Sequence, residues 1–231
     1  AGQTASAATI MGDDLSSFAV LGASTVTNVP TSTIRGNVGV SPGSSITGFQ
    51  SSPGVATSDP QVTNGSVHAT TALAGSGQAQ LTTARTLLDS LGSGTILPSA
   101  DLSGLTLSPG VYTVAAGTTN LSGTLTLDGL GNPNAGWVFQ MPSTLITSPN
   151  STVSMVNAGA GAGLFWNVGS SATIDTNTTF LGNILASASV SVNTSATILC
   201  GRALADTAAV TLQQNSIFAS ECADDLAGSN G

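Results

Sequence analysis

Short segments in which apolar and polar residues alternate recur along most of the chain. Between residues 102 and 218 the pattern repeats about every 20–27 residues, with three short strand-like segments in each unit, so that 136–141 aligns with 163–168. Such a unit is too small to bury its own apolar side and must stack on its neighbours. The repeat therefore predicts a mainly β fold, a β-solenoid of triangular cross-section.

Two other regions have different patterns. Short apolar segments between turn-forming prolines and glycines predict N-terminal strands within 18–49. Leu81, Ala84 and Leu88 recur at helical spacing, and Gly92 follows the last apolar position, which predicts one long helix over about 66–91. Gly75 and Gly77 lower its intrinsic propensity, so we expect tight packing to hold it.

The alternation also predicts which side chains face outward. If Val190 and Val192 point into the solenoid, Ser189 and Ser191 point out, and neighbouring coils stack such hydroxyls about 4.7–4.9 Å apart. Another strand of each unit has larger apolar residues at its outward positions. We expect the helix to pack on that apolar face, formed by Leu181, Leu199 and Phe218.

Composition restricts the partners. The 231 residues have a net charge of −8, yet only 6% are charged, and the only cations are Arg35, Arg85 and Arg202. Three scattered arginines cannot form the basic surface that nucleic acids or anionic membranes require. No apolar segment is long enough to span a bilayer. We therefore expect neither a nucleic-acid nor a membrane partner.

Residues suited to catalysis or metal binding are few. Most carboxylates lie beside turns or termini without forming a spaced pair, and His68 is the sole candidate for a neutral-pH base. Two cysteines and one histidine are too few for a structural zinc site. We expect no enzymatic activity, no metal and no cofactor. Cys200 and Cys222 either form a disulfide that pins the C-terminal tail or remain reduced.

The rows of hydroxyl groups are the remaining candidate for function. A flat, uncharged face of methyl and hydroxyl groups can order water, because methyl groups restrict it while hydroxyls anchor it. Strand spacing is close to the oxygen repeat of ice, so that layer can merge with an ice crystal. Alternatives are a structural or adhesive solenoid that binds a polysaccharide or another surface, and a β-helical polysaccharide lyase.

Several segments together resemble the secreted microbial ice-binding (antifreeze) proteins, which have a discontinuous β-solenoid and a flanking α-helix. The segments are 18–28, 36–43, 46–49, the helix, 105–112, 132–135, 139–140, 165–173 and 201–205. The resemblance implies a right-handed, discontinuous solenoid in which N-terminal strands stack beside C-terminal coils in a single domain, 1–231. It further implies an extracellular protein that produces thermal hysteresis, inhibits ice recrystallisation and needs no cofactor.

The expected partner is an ice crystal surface, and we expect a monomer. The resemblance gives no strict binding motif, so the candidate residues are the outward positions of one strand per coil, although the adjacent face is an alternative. Asp175 is an exception to the neutral character of this array. The predicted ice-binding residues are Thr25, Thr27, Thr144, Ile146, Thr173, Asp175, Ser189, Ser191, Asn193, Ala209 and Thr211.

Overall fold

The computed structural model describes residues 7–115 and 117–219, which form two helices and stacked coils of parallel strands. Each coil contributes strands to three faces, as the repeat predicted. The helices are α1 (Ala7–Ser16) and α2 (Ala72–Ser90). The strands belong to a 16-stranded sheet, which bends to supply two of the faces, and a seven-stranded sheet, which supplies the remaining one.

We name the faces by what they carry. The helix-covered face contains β1 (Phe18–Gly22), β4 (Asn37–Val40), β6 (Ala56–Thr57), β8 (Val67–Ala69), β9 (Thr95–Leu97), β11 (Gly110–Val114), β14 (Gly136–Met141), β17 (Gly163–Val168) and the C-terminal halves of β19 (Thr179–Ala186) and β21 (Thr197–Ala205). The seven-stranded face contains β2 (Thr25–Val29), β5 (Ser45–Thr47), β12 (Thr119–Leu121), β15 (Leu145–Thr147), β18 (Ala172–Ile174), β20 (Val190–Val192) and β22 (Val210–Gln213). The third face contains β3 (Thr33–Arg35), β7 (Val62–Thr63), β10 (Thr106–Leu107), β13 (Thr124–Asp128), β16 (Thr152–Val156), β23 (Ser216–Phe218) and the N-terminal halves of β19 and β21.

The stacking order of the coils differs from the chain order. The last coil, β21–β22–β23, pairs in parallel with the first coil, β1–β2–β3, on all three faces. Helix α2 connects β8, in the N-terminal coils, to β9, at the opposite end of the stack. The solenoid is therefore discontinuous, and the two ends of the chain share one core.

A ladder of aromatic rings fills part of the interior. The rings of Tyr112, Phe139 and Trp166 lie on three successive strands, with centroid separations of 5.8 and 4.3 Å, and Phe180 lies 4.9 Å beyond Trp166. The indole of Trp166 donates a hydrogen bond of 2.8 Å to the carbonyl oxygen of Leu181. The stacked, buried rings hold successive coils in register, because each must fit between its neighbours.

Helix α2 does not pack where the sequence predicted. Leu181 is buried in the solenoid core, Leu199 packs partly against that core, and Phe218 lies under the Arg35 guanidinium, 4.3 Å from its ring centroid. That prediction is wrong because it assigned Leu181 to the outer surface, whereas its strand turns it inward.

The apolar residues that α2 covers lie on a different face. Its buried side chains Leu81, Ala84 and Leu88 join a cluster with outward residues of the helix-covered face, including Phe165 and Leu204. Gly77 lies against this face as the predicted tight packing requires, since a Cβ atom there would stand 3.1 Å from Cε2 of Phe18. Burying this second apolar layer fixes the helix along the solenoid.

The helix also begins later than predicted. The predicted span of 66–91 starts six residues early, because Val67–Ala69 pairs with β4 as a strand. Thr71 caps α2 by accepting a hydrogen bond from the Ala74 amide at 3.2 Å, and His68 Nδ1 lies 3.0 Å from the Thr71 hydroxyl. His68 is thus a buried strand residue beside the cap. The Gly92 φ of +76° agrees with its predicted role after the helix.

Helix α1 was missed by the sequence analysis, which expected only short strands in this region. It is short and kinked at Gly12, so its apolar residues show little helical periodicity. Tertiary contacts with α2 stabilise it: Met11 and Leu15 are buried in the shared cluster, and the Gln80 side chain accepts a 2.8 Å hydrogen bond from the Leu15 amide.

Two further predictions concern the pairing of the two cysteines and the absence of a membrane-spanning segment. Cys200 is buried in β21, whereas Cys222 lies outside the described residues, so a disulfide between them stays a prediction. Neither described helix is both long and apolar enough to cross a membrane.

Candidate functional site

The seven-stranded face is built by strict alternation along short strands. Its strand order is β12-β15-β18-β20-β22-β2-β5, and neighbouring strands pair in parallel. Inward positions hold apolar residues such as Val190, Val210 and Val26, which are fully buried. Because side chains alternate sides along a strand, the residues between them must face solvent.

The central outward position of each strand forms one continuous row, which we call the middle column. Each member is the register partner of the next: Asn120, Ile146, Thr173, Ser191, Thr211, Thr27 and Thr47. Five consecutive members carry hydroxyl groups. At about 4.8 Å between strands, the column spans roughly 29 Å.

Two flanking rows accompany the middle column. The row before it, the entry column, includes Thr144, Ser171, Ser189, Ala209, Thr25 and Ser45, connected by backbone hydrogen bonds or register pairs between neighbouring coils. The row after it, the exit column, includes Ser148, Asp175, Asn193, Gln213 and Val29. The outer surface is therefore three columns wide.

The hydroxyls of the middle column are available to solvent. None of the five makes a hydrogen bond to another atom within residues 7–115 and 117–219, and all five residues are partly or fully exposed. In the entry column, by contrast, Thr144 lies 2.7 Å from the Ser170 hydroxyl and Ser189 donates to Ser171 at 2.8 Å. The middle column is thus the part of this face that can give its hydrogen bonds to a ligand.

Asp175 is the charged residue among the outward positions of these seven strands, and a second carboxylate, Asp101, pairs with Asn120 beyond the β12 end of the middle column. The Asp175 Oδ1 accepts hydrogen bonds from the Asn193 side chain at 2.9 Å and from the Thr176 amide at 2.7 Å. The Asn193 bond, followed by the Thr176 bond, lowers the pKa of the Asp175 carboxyl from its usual value. These two bonds hold the carboxylate within the exit column, so its charge does not lie in the middle column.

All eleven predicted residues lie on this face. Thr27, Ile146, Thr173, Ser191 and Thr211 belong to the middle column, Thr25, Thr144, Ser189 and Ala209 to the entry column, and Asp175 and Asn193 to the exit column. Whether they bind ice is a separate question from where they lie.

The sequence analysis missed both ends of the middle column. Thr47 lies on β5 as the partner of Thr27, and Asn120 lies on β12 as the partner of Ile146. Ser45-Ile46-Thr47 has the same alternation as Thr25-Val26-Thr27, which was the available signal. Asn120 lacked such a signal because one of its two inward neighbours, Thr119, is polar, so its strand does not alternate between apolar and polar residues.

Other chemistry is sparse around this face. In the described ranges, no three His, Cys, Asp or Glu residues are grouped closely enough to hold a metal ion. His68 lies on the helix-covered face, where burial lowers its pKa, and its ring meets Phe18 edge-on at 5.7 Å. These contacts give His68 a packing role beside the helix cap.

Known proteins share this architecture. An ice-binding protein from Nostoc sp. (strain HG1) is 45% identical over 87% of this chain and 71% of its own length. The crystal structure of an ice-binding protein from an Antarctic biological consortium matches with a TM-score of 0.77 at 36% identity, covering 90% of this chain and 89% of that one. An ice-binding protein from an Arctic yeast matches with a TM-score of 0.82 at 26% identity, covering 95% and 96%. The profile of the family described as Ice-binding-like matches residues 20–218, and the chain belongs to this family.

Proposed function

We propose that this protein binds ice through the seven-stranded face, depresses the freezing point below the melting point and inhibits ice recrystallisation. The observation that carries the proposal is the middle column, whose five consecutive hydroxyl groups lie in register and have no hydrogen-bond partner among the described residues. Membership of the Ice-binding-like family and the resemblance to solved ice-binding proteins support it.

The face acts as a template for ordered water. Each middle-column hydroxyl anchors a water molecule, and the threonine methyl groups restrict that molecule's orientation. Consecutive anchors are spaced by the strand separation of about 4.8 Å, close to the oxygen repeat of ice. Water held in this arrangement can join the crystal without large rearrangement.

Affinity has to come from the whole array. One hydrogen bond exchanged with water contributes only about 0.5–1.5 kcal/mol, so a single threonine cannot hold the protein on ice. A rigid solenoid adds such contributions without ordering new chain, because the inward valines and the aromatic ladder already fix every coil. Bound protein then forces the growing ice front to curve between molecules, which opposes further growth.

Several features belong to the same proposal. The partner is the ice crystal surface itself, bound by a monomer without a cofactor and without catalysis. The neutral middle column supports this view, since charged groups would orient water in a different pattern. Extracellular location follows from the function, because an ice-binding surface acts where crystals form.

Nanolitre osmometry tests the proposal directly. The unmodified protein should show a concentration-dependent hysteresis gap and faceted crystals. The variants Thr173→Lys and Ser191→Tyr should lose most of this gap, while the thermal-unfolding Tm of the protein stays nearly unchanged. Thr83→Tyr, on the exposed side of α2, is the matched control and should keep the gap. Absence of hysteresis in the unmodified protein would contradict ice binding, and binding to a polysaccharide instead would identify an adhesive solenoid.

A further inference from the structure

The third face carries its own continuous row of hydroxyl residues. Register partners run along Thr124, Thr152, Thr179, Thr197, Ser216 and Thr33, one per strand. The row crosses from the C-terminal coils to the N-terminal strand β3, as the middle column does on the seven-stranded face. With one residue per coil, it is therefore one coil longer than the run of five hydroxyls already described.

These hydroxyls are also free of protein partners. None of the six forms a hydrogen bond to an atom in the part of the chain that the structure describes, and every one of these residues is at least partly exposed. This distinguishes them from the entry column, where Thr144 and Ser189 bond to neighbouring serines. Their donors and acceptors are left to water.

A second, shorter row widens the same surface. Thr106, Thr126 and Ser154 are register partners two residues further along β10, β13 and β16, and their hydroxyls likewise have no protein hydrogen bond among the described residues. The two rows run parallel, about 6.6 Å apart, so their hydroxyl groups form a two-dimensional array. Strand propensity alone does not explain why these positions hold hydroxyl residues, because valine and isoleucine also favour strands.

Charged groups lie at the margins of this surface. Arg35 is on β3 at the N-terminal end of the stack, where its guanidinium packs over the Phe218 ring. Asp128 is the last residue of β13, and hydrogen bonds from the Asn157 side chain and the Leu130 amide lower its pKa. The outward positions of β16 and the N-terminal halves of β19 and β21 are uncharged.

We propose that the third face is a second ice-docking surface, independent of the seven-stranded face. This inference rests on the proposed function, because the same water-ordering chemistry is invoked. The two surfaces lie on different sides of one rigid solenoid, so they present hydroxyl rows in different orientations. One molecule can then adsorb to ice in two ways, and the hysteresis gap depends mainly on the seven-stranded face.

Adsorption into a growing ice hemisphere separates the two surfaces. Since the chain has no lysine, an amine-reactive dye attaches only at the α-amino group. Four proteins are compared: the unmodified chain, Ser191→Tyr/Thr211→Tyr, Thr179→Tyr/Thr197→Tyr, and the variant with all four changes. Thr83→Tyr/Thr86→Tyr on exposed α2 serves as the matched control, and circular dichroism checks that each variant is folded.

The proposal expects the Ser191→Tyr/Thr211→Tyr protein to enter ice still, with a changed pattern of labelled crystal planes, and the four-change variant to be excluded. Equal behaviour of these two variants, whether both enter or both are excluded, overturns the second surface. Exclusion of the unmodified chain overturns the proposed function itself. A variant that fails to fold is replaced by its Thr→Val counterpart, which keeps volume while removing the hydroxyl.

Discussion

The helix-covered face and the seven-stranded face are made by the same coils, with the same strand spacing, yet one is buried and the other is open. Outward positions of the covered face hold large apolar residues such as Phe165, Leu185 and Leu204. Outward positions of the open face hold mainly hydroxyl and amide side chains, with Ile146 and Val29 as large apolar exceptions at 39% and 50% exposure. Backbone geometry is therefore common to both faces, and side-chain chemistry decides which one acquires a cover.

The comparison shows why a solenoid can keep one face free for a ligand. Apolar outward residues gain free energy by excluding water, so a helix packs over them. Alcohols are already hydrated and gain little from a cover, so their face stays accessible. The same coil thus supplies stability on one side and a binding surface on another.

Truncating one apolar side chain on each face should give the largest difference in the free energy of unfolding between the two faces. Phe165→Ala should lower the free energy of unfolding by about 3–5 kcal/mol, because the ring is buried between α2 and the sheet. Ile146→Ala, the matched change on the open face, should cost less than about 1 kcal/mol. Urea denaturation followed by circular dichroism measures both, and equal losses would show that the open face is covered in solution.

Two glycines of α2 sharpen the contrast at the helix itself. Gly77→Val should lower the free energy of unfolding by about 1–3 kcal/mol, since a Cβ atom there meets Phe18 at 3.1 Å and Leu21 at 3.2 Å. Gly75→Val places its Cβ atom in ordinary van der Waals contact with the Ser41 hydroxyl, at 3.7 Å, and should change stability by less than about 0.5 kcal/mol. Similar thermal shifts for the two variants would contradict the close packing of α2.

Titration of one group on each face gives the smallest expected effect. Burial lowers the pKa of His68 on the covered face, so the unfolded chain binds a proton more readily. Stability should therefore fall as pH drops through about 6.5, the usual histidine pKa, and level off below the folded-state pKa. Thermal unfolding across pH 8 to 5 measures this slope, and His68→Gln should remove it.

Asp175 on the open face titrates lower. Because Asn193 and Thr176 lower its pKa, its contribution to stability is present above the usual aspartate pKa of about 3.9 and is lost as pH falls through the lower folded value. Exposure screens this contribution, so Asp175→Asn should alter only the acid limb, and slightly. A change in the slope between pH 5 and 8 in this variant would contradict the assignment to His68.

Local pattern was a good guide to the strands of the open face. Alternation in Thr25-Val26-Thr27 and Ser189-Val190-Ser191 correctly placed hydroxyls outside and valines inside, because this choice depends only on neighbouring residues in one strand. The same reasoning found the helix around Leu81 and Leu88, whose spacing is a local property. The predicted start of this helix was wrong because residues 67–69 form a strand that pairs with β4.

Non-local contacts account for the other errors. The helix was expected to cover Leu181, Leu199 and Phe218. The face that a helix covers depends on which apolar residues the stacked coils leave on the outside, and this is set by contacts between distant segments. Helix α1 forms only where α2 supplies Gln80 and a shared apolar cluster. Neither relationship leaves a periodic trace in the sequence.

The amino-acid sequence by itself determined the solenoid repeat and the neutral outward alcohols, because each follows from residues within one or two coils. It also determined the family, because short segments along the chain together resemble it. Tertiary structure alone decided that Thr27 stands beside Thr211, and so that the rows of hydroxyls are continuous across the join between the ends of the chain. It also decided which face α2 covers. The reason is that strand pairing and helix docking are set by free energy gained between distant segments, which no local period records.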